Sequence, residues 1–341
     1  MLKSMMALGF AVLAFHAQAR AAETSGAGST FVYPLITKWS AAYEAKTGNK
    51  ILYQPVGSGV GITQAKMELV DFAASDMPLS SKDLDRAGMA QFPLVIGGVV
   101  PVVNIDGIKP GDLRFTGAAL AEIFLGNIRF WDEPVIRQLN PRFNLPHLPI
   151  TVVHRVEGSG TTFNWTNYLS KVSSKWKEAA GDGTTVQWPI GVGGKGNEGV
   201  ASLVGLTPGS IGYVEYSYAM QMKDKIAFGL VENAAGNYSF PNASSFREAA
   251  STANWDSAKD FSLVLTNSTG EHAYPITATV FIVMHKQAKA PDRAAVAMDF
   301  FKWALDNGGE QAAALEYVSL PAEVVQKIKD YWKTRFTDWK G

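Results

Sequence analysis

Two α/β domains joined by strands are the fold this chain predicts, and length, alternation of elements and the lack of a tether predict it. At 341 residues the chain holds about two domains of roughly 150 residues each. Short apolar runs alternate with helical patterns, the arrangement of mostly parallel sheets flanked by helices. No repeat, low-complexity stretch or Pro/Ser-rich linker separates the halves, so strands rather than a loose segment should connect them.

The strand candidates are residues 50–54, 70–74, 94–104 (one long strand or two), 150–155, 210–216 and 277–285. Between them, 31–46 carries Leu35, Trp39 and Tyr43 at spacing four, with Gly48 as its stop. Residues 161–172 place Trp165, Tyr168, Leu169 and Val172 on one helical face. A third helix, 294–305, stops before Asn307-Gly308, and Pro321 opens a fourth at 322–335. The aromatics Trp39, Phe300, Phe301, Trp303 and Trp332 fall in these patterns and should fill cores.

Composition narrows the function classes. Apolar residues make up 47% of the chain and charged residues 18%, with 31 basic against 31 acidic groups. Such a balance gives no global attraction to nucleic acid or anionic lipid, so any anion site must be local. Cysteine is absent, which removes disulfides, thiolate metal sites and thiol catalysis. The 32 glycines point to tight turns and close backbone approaches.

The N-terminus reads as a secretory signal peptide, residues 1–21. Lys3 gives a basic start, 4–15 is mostly apolar, and Ala17-Gln18-Ala19 and Ala19-Arg20-Ala21 both fit the small-residue cleavage pattern. Its removal takes out Lys3 and Arg20 and no acidic residue, a mature net charge of −2. No later stretch reaches about 18 uninterrupted apolar residues, so no membrane span is expected. An exported, cysteine-free chain with a large core fits a bacterial periplasm.

A small-residue loop before a helical pattern recurs three times: Gly26-Ala27-Gly28-Ser29-Thr30, Gly57-Ser58-Gly59-Val60-Gly61 and Gly158-Ser159-Gly160-Thr161-Thr162. The first N–H groups of a helix have no intrahelical acceptor and sit at the positive end of its dipole. Glycines let an anion approach them, and Ser or Thr hydroxyls add donors. A single loop is more simply a helix cap; three together point to an oxyanion. Arg155 ends a strand candidate just before the third loop and can fork onto oxyanion oxygens, with Glu157 as a candidate to orient it. Asp76 follows the 70–74 strand. An ionised carboxylate only accepts hydrogen bonds, so beside an anion site it favours a ligand that keeps a proton. Phosphate keeps one near neutral pH and sulfate keeps none, so a buried Asp76 discriminates against sulfate through an unpaired acceptor and a like charge.

In these residues the chain resembles the periplasmic phosphate-binding proteins of bacterial ABC-type phosphate transporters. The resemblance rests on 26–31, 70–79 with Ala74-Ser75-Asp76, 155–163, Gly97-Gly98-Val99-Val100, 188–197 and 211–216, and runs in order from Thr24 to Trp332. It implies a two-lobed periplasmic binding protein fold of the type II kind, with two strand crossovers and the ligand in the cleft between lobes. It implies one lobe from 22–103 and 278–341, and a second from 104–277. By position it implies phosphate contacts from Thr30, the Phe31 N–H, Ser58, Asp76, Arg155, Ser159, Gly160 and Thr161. The second loop has Gly59 where a second serine is often seen, and Glu157 stands where an Asp commonly orients the arginine. The implied partner is a membrane permease driven by a cytoplasmic ATPase; the receptor itself is expected to be a monomer without catalysis, metal or cofactor.

Other readings carry less. Residues 191–196 match G-x-G-x-x-G, but lie mid-chain in a glycine-rich sequence and are set aside as a dinucleotide site. His147, His154, His272 and His285 lack metal-ligand spacing. No G-x-S-x-G surrounds Ser58 or Ser159, since Val56 and Glu157 take the required positions. The rival functions are a receptor for another tetrahedral oxyanion and a secreted phosphomonoesterase using the same cradle.

Overall fold

The computed structural model describes residues 22–337 and 339–341; the signal-peptide expectation for 1–21 lies outside them. Twelve strands are present among the described residues: β1 (Glu23–Gly28), β2 (Lys50–Gln54), β3 (Phe72–Ser75), β4 (Met89–Val103), β5 (Arg114–Phe115), β6 (Thr151–Arg155), β7 (Val192–Gly194), β8 (Ser210–Glu215), β9 (Ala227–Phe228), β10 (Leu230–Glu232), β11 (Tyr238–Ser239) and β12 (Thr277–His285). The main sheet runs in the order β2-β1-β3-β12-β4-β8-β6-β7, with β9 also against β4; β11-β10-β5 form a small second sheet.

The fold is two-lobed, and the pairing shows how. β1, β2 and β3 are mutually parallel at one end, and β6, β7 and β8 at the other. Between them β12 runs antiparallel to β3 and β4, and β4 antiparallel to β8. The expected mostly parallel sheet therefore holds within each lobe and fails at the centre. The reason is chain direction: a strand that leaves one lobe and a strand that returns to it must run oppositely. β4 is the outgoing one. Its residues Met89–Gly98 pair with β12, and Val99–Val103 pair with β8. Its register against β12 shifts between Val280 and Phe281, opposite Val95 and Pro93. The bulge falls where Pro93 has no N–H to give the ladder.

β1 had no apolar signature, being Glu-Thr-Ser-Gly-Ala-Gly. It becomes a strand because parallel neighbours claim both its edges, Thr24 against Ile51 and Gly26 against Phe72. A side chain at Gly26 would strike the Phe72 ring, which lies edge-on to Phe301 at 4.9 Å between centroids. Phe92 meets Trp332 in the same core at 4.9 Å. The other lobe stacks Trp165 on Tyr213 at 5.1 Å, with Phe124 and Trp188 around them. Trp39, Phe300, Phe301 and Trp332 are buried; Trp303 is only partly so.

Each helix of interest begins where a strand of the main sheet ends. β1 leads to helix Tyr33–Thr47, β2 to Ser58–Lys66, β6 to Gly160–Val172 and β7 to Gly196–Leu206. Strand–loop–helix units of this kind bring helix N-termini to one end of a parallel sheet. With one sheet edge in each lobe, four such ends face one cleft. No described helix is long and apolar enough to cross a membrane.

Candidate oxyanion site between the lobes

The expected site residues all lie at this cleft, and they are buried: Ser58, Ser159 and Thr161 are 1% exposed, Asp76 2%, Arg155 3% and Thr30 7%. Contacts run from lobe to lobe. The Gly59 N–H donates to the Gly158 carbonyl at 3.0 Å, and the Gly160 N–H to Ser58 Oγ at 3.1 Å. Thr161 Oγ1 donates to Asp76 Oδ2 at 3.3 Å.

Arg155 closes β6, so its side chain leaves the sheet at the mouth of the third loop. Its Nε donates to Glu157 Oε1 at 2.9 Å, its Nη2 to the same oxygen, and its Nη1 to Thr161 Oγ1 at 3.4 Å. The structure thus brings Glu157 onto the guanidinium, and the Gly196 N–H also donates to Glu157 Oε1, at 3.0 Å. Holding a guanidinium by its Nε edge fixes the plane of its remaining donors.

Asp76 sits just beyond β3. Ser29 Oγ donates to Asp76 Oδ1, and Asn164 Nδ2 donates to the Asp76 carbonyl at 2.7 Å and to the Gly160 carbonyl at 2.9 Å. Burial pushes the Asp76 pKa up to about 6; hydrogen bonds from Ser29 and Thr161 and the charge of Arg155 oppose the rise. An acid whose folded pKa is raised holds its proton longer in the folded protein. Its ionisation therefore costs stability as pH climbs from the ordinary carboxylate range through about 6. At pH 7 and above Asp76 is chiefly an acceptor.

The hydroxyls are committed in one sense and available in another. Ser159 Oγ caps its helix, accepting the Thr162 N–H at 3.1 Å, which leaves its proton to donate. Thr30 Oγ1 accepts from Asn197 N at 3.2 Å and Asn197 Nδ2 at 2.8 Å, and likewise keeps its proton. The Phe31 N–H, implied as a direct ligand contact, donates to Ser29 Oγ at 3.0 Å, while the Phe31 ring is buried against Tyr317.

Three residues at the site escaped the sequence reading: Ser29, Asn164 and Asn197. Ser29 lies in the first small-residue run, next to the expected contact Thr30. Asn197 is the second residue of the helix Gly196–Leu206, and its signal in the sequence is the glycine-rich run Gly193-Gly194-Lys195-Gly196, which crosses from the end of β7 into that helix. Asn164 carries no local signature, since its role depends on two carbonyls from different lobes.

One guanidinium, one acceptor carboxylate and the N-termini of four helices meet between the two lobes, an arrangement chemically suited to a small tetrahedral oxyanion. The family follows from comparison. A family model described as a PBP superfamily domain matches residues 14–307. The phosphate-binding protein PstS of Xylella fastidiosa is 56% identical over 319 residues, covering 94% of this chain and 87% of the relative. That of Pasteurella multocida is 48% identical over 341 residues, covering 100% and 98%. Among solved structures, the phosphate-binding protein of Stenotrophomonas maltophilia aligns with a TM-score of 0.69 at 18% identity, over 91% of this chain and 94% of that one. An ABC-type phosphate transport receptor from Vibrio cholerae aligns at 0.55 and 17%, over 87% and 100%; both likenesses are of fold. The chain belongs to the phosphate-binding protein family of the PBP superfamily.

Gly160 packs directly on Asp76, since a Cβ there would meet Asp76 N at 2.6 Å and Asp76 Oδ2 at 2.7 Å. Asp76 follows β3 and Gly160 follows β6, so the clash falls between the two sets of parallel strands rather than inside either. Gly160→Ala is expected to leave the melting temperature of ligand-free protein within about 2 °C and to weaken tetrahedral-oxyanion binding at least about tenfold, by thermal melting and titration calorimetry. A variant that melts much lower would place the strain inside one lobe.

Proposed function

We propose that the protein is an exported receptor that captures inorganic phosphate between its lobes and delivers it to an ABC-type permease. The reading is carried by one pairing: a buried guanidinium and a buried carboxylate face the same cleft, so the site both attracts an anion and demands an acidic proton on it. Curated relatives named as phosphate-binding proteins, at up to 56% identity across nearly the whole chain, support the same ligand.

In this reading Arg155 supplies the full positive charge, with Glu157 holding its plane. Thr30, Ser58, Ser159, Thr161 and the backbone N–H groups at Phe31 and Gly160 share the ligand oxygens, and Asp76 accepts the ligand proton. Residues 22–103 with 278–341 form one lobe and 104–277 the other, so the phosphate bridges them and favours the closed state through contacts absent from the open one. The N-terminal segment directs export to the periplasm, where the mature chain works as a monomer and meets the permease subunits whose ATPase lies in the cytoplasm. The binding module carries no catalysis. A sulfate or molybdate receptor is disfavoured by Asp76, and a phosphomonoesterase by the tightness of the closed cleft around Gly160.

Titration calorimetry on ligand-stripped protein tests the reading: at pH 7.5 phosphate is expected to bind at micromolar affinity or better, about −8 kcal/mol or more, with no measurable sulfate binding. Equal affinities would remove it. Arg155→Ala is expected to weaken phosphate binding by roughly 2–5 kcal/mol, because it strips a desolvated charge partner; a loss below about 0.5 kcal/mol in the same titration would show that the guanidinium does not hold the ligand. Asp76→Asn replaces an acceptor-only group with one that can donate, and competition calorimetry is expected to find a narrower phosphate-over-sulfate preference. An unchanged ratio would take the proton-reading role from Asp76.

A further inference from the structure

Beside Asp76 lies a residue that neither the sequence pattern nor the family comparison assigns to the site. Ser29 is 1% exposed and bonded through every polar atom it has. Its N–H donates to the Ala74 carbonyl at 2.8 Å, its carbonyl accepts from Tyr53 OH at 2.8 Å, and its hydroxyl lies between the Phe31 N–H and Asp76 Oδ1. The polarity of that last chain is forced. A backbone N–H can only donate, so Ser29 Oγ accepts from Phe31, and the single hydroxyl proton has Asp76 Oδ1 as its acceptor among the described residues. Oδ1 must then be an unprotonated oxygen. Among the described residues Oδ2 has only the longer contact from Thr161 Oγ1, 3.3 Å, and that hydroxyl is also approached by Arg155 Nη1 and Asn197 Nδ2, each at 3.4 Å.

We propose that Ser29 is the positioning residue that sets ligand specificity, by occupying one oxygen of Asp76 so that the carboxylate stays ionised and meets the ligand through the other. The inference rests on the phosphate-receptor reading above and deepens it: it names what makes Asp76 an acceptor in a site that otherwise favours its neutral form. The charged and titratable groups facing Asp76 come from three strands. Arg155 at the end of β6 favours ionisation, Glu215 at the end of β8 is a second buried acid coupled to it, and Tyr53 on β2 lies near both Ser29 and Asp76. Burial is the largest influence on Asp76, and the Ser29 bond is the strongest one opposing it. Without the hydroxyl, Oδ1 is a buried oxygen with no donor, and the acid takes up a proton at higher pH. A protonated Asp76 donates instead of only accepting, and a fully deprotonated oxyanion such as sulfate is no longer rejected.

The test is calorimetric titration of inorganic phosphate and sulfate into parent and Ser29→Ala protein at intervals from pH 5 to pH 8. In the parent, sulfate binding is expected to appear only as pH falls through about 6, where Asp76 gains its proton. In Ser29→Ala it is expected to appear about one pH unit higher, so that near pH 7 the phosphate-over-sulfate ratio drops about tenfold, while phosphate affinity changes only a few-fold. A Ser29→Ala profile that superimposes on the parent's overturns the proposal with the receptor reading intact. A parent that binds no phosphate overturns the receptor reading itself. Should the variant not fold, infrared spectra of the parent decide. At pH 7.5 no protonated-carboxyl band that Asp76→Asn removes is expected; such a band would mean that Ser29 does not keep Asp76 ionised.

Discussion

The constraint on which the rest depends is that an anion site has been built around more negative than positive side chains. Arg155, Glu157 and Asp76 together bring one cation and two carboxylates into the cleft. The guanidinium of Arg155 attracts an anion, but the net side-chain charge of the three groups does not. What remains is the set of N–H dipoles at the starts of helices Tyr33–Thr47, Ser58–Lys66, Gly160–Val172 and Gly196–Leu206. Oriented dipoles need no counter-ion and are strongest where water is excluded. Deep burial of the site is thus a condition of its chemistry, and the two-lobed fold is the means of achieving burial without closing the site permanently.

That requirement explains the sheet. Two sets of parallel strands, β1–β3 and β6–β8, each deliver helix N-termini to the end of the sheet where their strands finish. β4 and β12 join the sets through long, buried and antiparallel pairing. A connection of this kind bends without disengaging, whereas a glycine-serine tether would leave the lobes' approach angle undefined. Close to the change of partners on β4, Glu215 accepts the Ser217 N–H at 2.9 Å and lies 3.0 Å from Tyr317 OH, which in turn donates to the Phe31 carbonyl at 2.6 Å. The one Tyr317 proton is shared between the Phe31 carbonyl and Glu215 Oε2, which also accepts from Ser217 Oγ. Burial pushes the Glu215 pKa up to about 8, against these donors.

Much of this was legible in the residues. Strands with β-branched and aromatic runs, such as β6 and β12, stand out because their burial is written in composition, and the small-residue runs at Gly26, Gly57 and Gly158 stand out although the first is the end of β1 and the second runs into the helix Ser58–Lys66. β1 was not legible: its residues are small because Phe72 lies across it, a fact about another strand. The antiparallel centre was hidden for a related reason, since strand direction depends on which lobe each end serves. At the site, Arg155 and Asp76 announce themselves by charge, whereas Ser29, Asn164 and Asn197 are uncharged and act through partners distant in sequence.

The loops also bond to one another, and this bears on how such a site releases what it holds. Ser58 Oγ takes the Gly160 N–H, Asn197 takes up Thr30 Oγ1, and Ser29 takes the Phe31 N–H. In the proposed receptor an oxyanion that draws on the Phe31 and Gly160 N–H groups exchanges existing bonds, while the Ser159 and Thr30 hydroxyl protons are still free to donate, so its affinity is in part a difference between two hydrogen-bonded arrangements. A difference can be large enough for capture and still small enough for delivery. The same exchange gives specificity its leverage. With Asp76 in its proposed role, a ligand without a proton surrenders the internal bonds and gains one contact fewer, with a like-charge approach added.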